Sequence, residues 1–167
     1  CPIRVFAGAT TDQPGTLITR ADSCAKVPDF QCALELYELA LTTGIDSSDS
    51  LTIRLALGDI RYQLGQFDLA FVQFDRALLM AEKMGQDYEK ALALKGLAHI
   101  LWRTGENVRA TTFIIESIEL SRKLKDTAAM ITSSNILAGI YMSVGNLDDA
   151  GKLYQEALGM ALGMQDS

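Results

Sequence analysis

Leu57-Gly58-Asp59-Ile60-Arg61-Tyr62-Gln63-Leu64-Gly65-Gln66-Phe67-Asp68-Leu69-Ala70-Phe71-Val72-Gln73-Phe74-Asp75-Arg76-Ala77-Leu78 is the most legible stretch of the chain, because its skeleton returns twice downstream. A shift of 40 residues superposes three consecutive blocks without a gap, so the chain is first of all a repeat. Gly65, Gly105 and Gly145 share one column. Seven residues earlier stands a small residue (Gly58, Ala98, Ala138), each preceded by a leucine (Leu57, Leu97, Leu137). Five residues after each glycine comes Ala70, Ala110 or Ala150, followed by a bulky side chain at Phe74, Ile114 or Tyr154. Ala77, Ser117 and Ala157 then restore a small residue, each with an aliphatic neighbour at Leu78, Ile118 or Leu158.

Small residues belong where two helix backbones approach, and bulky ones fill the space between them. Each block therefore reads as two antiparallel helices, with glycine ending the first in the left-handed conformation that other residues resist. In order and spacing this skeleton resembles the tetratricopeptide repeat (TPR). The resemblance implies an all-α, right-handed superhelix of antiparallel helix pairs, a TPR-like solenoid. A degenerate earlier copy places Phe30, Ala33, Tyr37, Ala40 and Leu41 in the second-helix columns, with Pro28 in place of the turn glycine. Its first helix would run from about Gly15 to Ala25. Ala33 and Ala70 are 37 residues apart, so its connection is shorter. The expected organisation is an extended or disordered arm over 1–14 and an array over 15–164, divided at 15–46, 47–86, 87–126 and 127–164.

The proline that ordinarily stops the second helix is absent, its columns holding Glu82 and Arg122. The helices can then run on, and the lengthened repeat is similar to the G-protein signalling modulator, kinesin light chain and bacterial Rap or maltose-activator branches. Expected helix caps are Asp87 and Asp126, with Ser48, Asp49 or Ser50 before the helix that ends near Gly65.

Composition narrows the function. The 167 residues carry a formal charge of −6, with 49% hydrophobic and 22% charged side chains, which is globular composition without a basic footprint. Neither nucleic acid nor an anionic membrane is an expected partner, and no apolar run approaches the roughly 18 residues that span a bilayer. Cys1, Cys24 and Cys32 are odd in number and lack a CxxC pair, so no disulfide framework is expected. Cys24 and Cys32 read as small core residues and the compartment as reducing and cytoplasmic. One histidine, no GxSxG and no phosphate-cradling loop leave no catalytic constellation, no metal site and no implied cofactor. The resemblance implies a non-catalytic scaffold that binds a peptide or helical segment of another protein. The alternative is a regulatory sensor module of a larger signalling or transcription protein.

Helix geometry locates the binding face. In each first helix, three positions spaced i, i+4, i+7 lie opposite the packing columns and form one stripe. The stripes read Leu55, Asp59, Tyr62; then Lys95, His99, Trp102; then Asn135, Gly139, Met142, with Gln63, Arg103 and Ser143 beside them. Stacked repeats set such stripes side by side on a concave wall. Two readings of Tyr62, Trp102 and Met142 stay open: anchors exposed in a groove, or side chains packed on the neighbouring helix. Lys95, His99 and Arg103 either receive a peptide carboxylate or form a solvated helix side. Gly139 is either a point of close ligand approach or a neutral gap. The carboxylate clamp of chaperone-binding relatives needs lysine and asparagine where this chain has Ile18 and Asp22, although Lys95 and Asn135 keep that chemistry later in the array.

Two further expectations concern packing. Arg54 and Arg61 occupy columns where apolar residues are usual, and Glu35 or Glu38 are their expected partners, unless their stems pack and their heads reach water. The last helix, expected over 147–164, ends in the apolar run Leu158-Gly159-Met160-Ala161-Leu162-Gly163-Met164. Each of its two glycines costs about 1 kcal/mol relative to alanine. A longer parent protein, or cover by a second copy or a partner, is expected there, so self-association through this helix enters the partner list. The alternative is that Leu162 and Met164 fold back on their own repeat.

Overall fold

A computed structural model describes residues 13–27 and 29–165. The expected arm lies almost wholly outside the described residues, as does Pro28. Among the described residues eight helices follow one another: α1 (Pro14–Lys26), α2 (Phe30–Thr42), α3 (Ser47–Gln63), α4 (Phe67–Met84), α5 (Asp87–Arg103), α6 (Asn107–Lys123), α7 (Thr127–Ser143) and α8 (Leu147–Gln165). There is no strand among the described residues. Each helix packs on its successor along the chain, and α3 also meets α5, as α5 meets α7. The result is a solenoid in which α3, α5 and α7 lie side by side.

The turns behave as the glycine column requires. Gly65, Gly105 and Gly145 have φ of +72°, +88° and +81°. At the first of these the amide of Gln66 donates to the Arg61 carbonyl at 2.8 Å, and Glu106 and Asn146 repeat this bond to Leu101 and Tyr141. The helix C-termini are closed by this motif, which satisfies carbonyls that would otherwise be orphaned. Lys125 takes the left-handed conformation (φ 58°) in the column where Gly85 stands one block earlier.

Capping departs from expectation at two of three places. Asp126 does cap α7, accepting from the Ala129 amide at 2.9 Å. The cap of α3 is Asp46, which accepts from the Asp49 amide at 2.8 Å, two residues before Ser48, the first of the expected candidates. Asp87 lies inside the first turn of α5 and binds Lys123 of α6 at 2.6 Å. Pro14 opens α1 in place of ending an arm, because a fixed φ and a missing amide hydrogen cost nothing at a first helical position.

Three apolar clusters run through the array: the first joins α1, α2 and α3, the second α3, α4 and α5, and the third α5 through α8. In the second, the Phe74 ring lies between two glycines. A Cβ on Gly58 would stand 2.7 Å from it, and one on Gly96 2.6 Å. One block later the ring is replaced by Ile114, which packs with Ala98 and Ile136. A smaller bulky side chain is matched by larger neighbours, as interior packing demands.

The cysteine reading is corrected. Cys24 of α1 and Cys32 of α2 form a disulfide, which closes a hairpin over a sequence separation of 8. Eight residues and a turn put the two Cα atoms 5.9 Å apart, within bonding reach. Spacing rules tuned to CxxC pairs pass over a pair brought together by a helical hairpin, and the argument for a reducing compartment goes with them. Arg61 does pair with Glu38, while Arg54 donates to Gln73 of α4 at 3.1 Å instead of reaching α2. The C-terminal run continues as helix to Gln165 and leaves Leu158, Leu162 and Met164 exposed, so the fold-back of Leu162 and Met164 is not seen. None of the helices among the described residues is long and apolar enough to cross a membrane.

Candidate functional site

The side-by-side faces of α3, α5 and α7 enclose an open groove of about 470 Å³. It gathers Asp59, Tyr62 and Gln63 from α3, Lys95 and His99 from α5, and Asn135 from α7. Five of these come from the sequence-derived stripes, and Gln63 from the position expected beside them. Thr132 and Ile136 of α7 complete the lining and were missed, although they stand one turn before and one residue after Asn135. The stripe followed i, i+4, i+7 strictly, whereas a groove between helices also takes the positions that flank it.

The remaining stripe residues are placed differently. Leu55 is only 8% exposed and belongs to the cluster beneath the groove, so it is removed from the site. Its column is inward at α3 because the neighbouring Leu51 and Ala93 complete an apolar cluster around it. Trp102 packs against α7: a Cβ on Gly139 would lie 2.5 Å from the indole Cη2. Gly139 is thus buried under that ring, and the expectation of a ligand meeting its backbone does not hold. Met142 is 51% exposed at the end of α7. Arg103 and Ser143 are exposed, and the Ser143 hydroxyl is engaged with the Ile140 carbonyl at 2.7 Å.

A ladder of rings crosses the groove floor. The Tyr62 and His99 centroids are 4.4 Å apart, and those of His99 and Trp102 5.8 Å apart and stacked. Tyr62 also meets Phe67 at 5.5 Å. The Tyr62 hydroxyl and His99 Nε2 are 2.8 Å apart, a hydrogen bond in which the hydroxyl donates when the imidazole proton is on Nδ1. Burial holds the His99 pKa below its ordinary value, with Arg103 and then Lys95 adding to the effect. The ring is therefore neutral at pH 7. Burial pushes the Tyr62 hydroxyl upward, opposed by Arg103. Asp59 keeps much of its surface accessible yet lies low in a concave wall, where desolvation raises its pKa and Lys95 pulls it down.

The groove thus combines one cation, Lys95, one carboxylate, Asp59, and the amides of Gln63 and Asn135 around an aromatic floor, with Arg103 outside the lining but near enough to act on Tyr62 and His99. That set can bind a carboxylate beside an apolar or aromatic side chain. Among the described residues no cluster of histidine, cysteine and acidic side chains has the makings of a metal site.

The tetratricopeptide repeat family model matches residues 134–167. A search of curated proteins finds no significant match. Among solved structures, the chain is similar to BtubC (BKLC) from P. vanneervenii, with a TM-score of 0.82 and 20% identity over 92% of this chain. A Rap protein complexed with Competence and Sporulation Factor aligns with a TM-score of 0.75 and 15% identity over 86% of this chain. A putative kinesin light chain from Podosopora anserina with nearly identical TPR-like repeats gives 0.73 and 17% over 98%. The chain spans 65% of the BtubC chain, 42% of the Rap chain and 81% of the kinesin light chain one. In its repeat skeleton and its architecture, the chain is a tetratricopeptide-like solenoid.

Proposed function

We propose that this chain is a non-catalytic interaction scaffold, and that the groove across α3, α5 and α7 receives a peptide or helical segment of another protein. The observation that carries this reading is the convergence of Asp59, Tyr62, Gln63, Lys95, His99 and Asn135, from three successive first helices, on one open concave space. Lys95 and Asn135 take a ligand carboxylate, Asp59 selects against an adjacent acidic residue, and the Tyr62 and His99 rings carry an apolar side chain. A Rap protein of the same fold, solved with Competence and Sporulation Factor, supports the use of such an array as a receptor. The exposed apolar face of α8, with Leu158, Leu162 and Met164, is proposed as a second contact surface through which copies of the chain associate.

A displayed peptide library screened against the wild-type chain tests the groove. Selected peptides should carry an acidic residue near an aliphatic or aromatic one. Lys95→Ala with Asn135→Ala should weaken them about tenfold or more without changing helicity, because hydrogen bonds to a charged group are worth about 1.5–3 kcal/mol. Undiminished affinity in that double variant would reject the assignment.

A further inference from the structure

A second space, of about 490 Å³, lies between α6 and α8 with α7 as its floor. Its walls are apolar (Ile118, Met130, Leu137, Leu153 and Met160), and Glu119, Arg122 and Glu156 stand around it. The repeat supplies an internal control. One block earlier, the columns of Ser134, Leu153 and Met130 hold Leu94, Phe113 and Lys90. There Leu94 is buried, and Phe113 packs against the clusters on both sides of it. The Lys90 ammonium spans the gap between α4 and α6, 3.1 Å from Glu82 and 2.8 Å from Glu116.

In the later slot each of these fillers is lost. Leucine becomes Ser134, phenylalanine becomes Leu153, and the bridging lysine becomes Met130, while of its two carboxylates Glu116 persists as Glu156 and Glu82 is replaced by Arg122. No ion pair of Glu156 is present among the described residues. Ser134 is 6% exposed and lines the space, its hydroxyl open to it. A hydroxyl open to the space and a carboxylate outside any ion pair, beside a gap where a ring is missing, define what would complete the slot.

We propose that the slot binds a small amine with an aromatic or branched aliphatic body, the body replacing the side chains of Leu94 and Phe113 and the ammonium replacing that of Lys90. The volume lies in the range of small-ligand sites. The ammonium reaches Glu156, and the Ser134 hydroxyl takes up a polar atom of the ligand at the floor. This site is separate from the α3–α5–α7 groove and does not depend on it.

Phenethylamine is the probe, titrated into the full chain and followed by backbone amide shifts, with hydrocinnamate as the anionic control of matching shape. Shifts are expected at α6, α7 and α8 for the amine, and weaker ones for the acid. Glu156→Gln should weaken the amine about threefold, the scale of an exposed ion pair. Ser134→Leu with Leu153→Phe restores the earlier filling and should abolish binding. Should the double variant misfold, Leu153→Phe alone carries the same expectation. Hydrocinnamate binding as well as the amine, amine binding that survives the filled slot, or no shifts at millimolar amine would overturn the proposal. Tighter binding by a peptide containing Phe-Lys than by the free amine would overturn its small-molecule form.

Discussion

Tyr62 with His99 and Trp102 with Gly139 occupy the same pair of columns one repeat apart, yet they make different floors. Between α3 and α5, two modest rings meet through a 2.8 Å hydrogen bond, and a polar, titratable contact lines the groove. Between α5 and α7, a larger ring lies over Gly139, which offers it no side chain, its Cη2 2.5 Å from where a Cβ would be. The glycine makes room for the larger ring while the chemistry is exchanged. The first pair can respond to pH and to a polar ligand, whereas the second only seals. The same compensation governs Phe74 between Gly58 and Gly96 against Ile114 with Ala98 and Ile136.

The sharpest way to break this comparison is to put the first pair's residue into the second. Gly139→His leaves no room for the indole and should cost about 2–3 kcal/mol in urea unfolding, the scale of overpacking a tight site. Trp102 is the sole tryptophan, so its emission reports the displacement directly as a shift to longer wavelength. Adding Trp102→Tyr rebuilds the Tyr–His pair and should recover at least half of the loss. A double variant no more stable than the single one would show that the columns are not interchangeable.

A smaller effect tests the other pair. Tyr62→Phe removes the hydroxyl but keeps the ring, and should cost about 1 kcal/mol, the net value of one hydrogen bond. Trp102 emission should scarcely change. Smaller still is the pH response, which only the first pair can show. The folded-state pKa of His99 is depressed, so between that value and the unfolded value near 6.5 the unfolded chain holds more protons. Stability should therefore fall as pH drops below about 6.5, and the His99→Gln variant should lose less over the same interval. Equal losses in thermal unfolding of the two proteins would assign the response to other groups.

The contrast also shows which features the sequence discloses. Turn glycines, small columns and leucine positions were legible because each has one physical use, and the 40-residue period repeats it three times. Five groove residues followed from helical spacing, and Gln63 from its place beside the stripe. Leu55, Trp102 and Gly139 did not, because their exposure depends on what the neighbouring helix offers. An indole is a groove anchor opposite a side chain and a seal opposite a glycine, and no single helix stripe distinguishes these. Cys24 and Cys32 escaped for a related reason: their proximity is a property of the α1–α2 hairpin, not of a local motif.

The most direct test of the binding face is to titrate a library-selected peptide into the isotopically labelled chain and map the amide shifts. Perturbations should concentrate at Asp59, Tyr62, Gln63, Lys95, His99, Thr132 and Asn135, with the Trp102 indole changing little because it is packed on α7. Perturbations confined to α4, α6 and α8, with the groove residues silent, would contradict it.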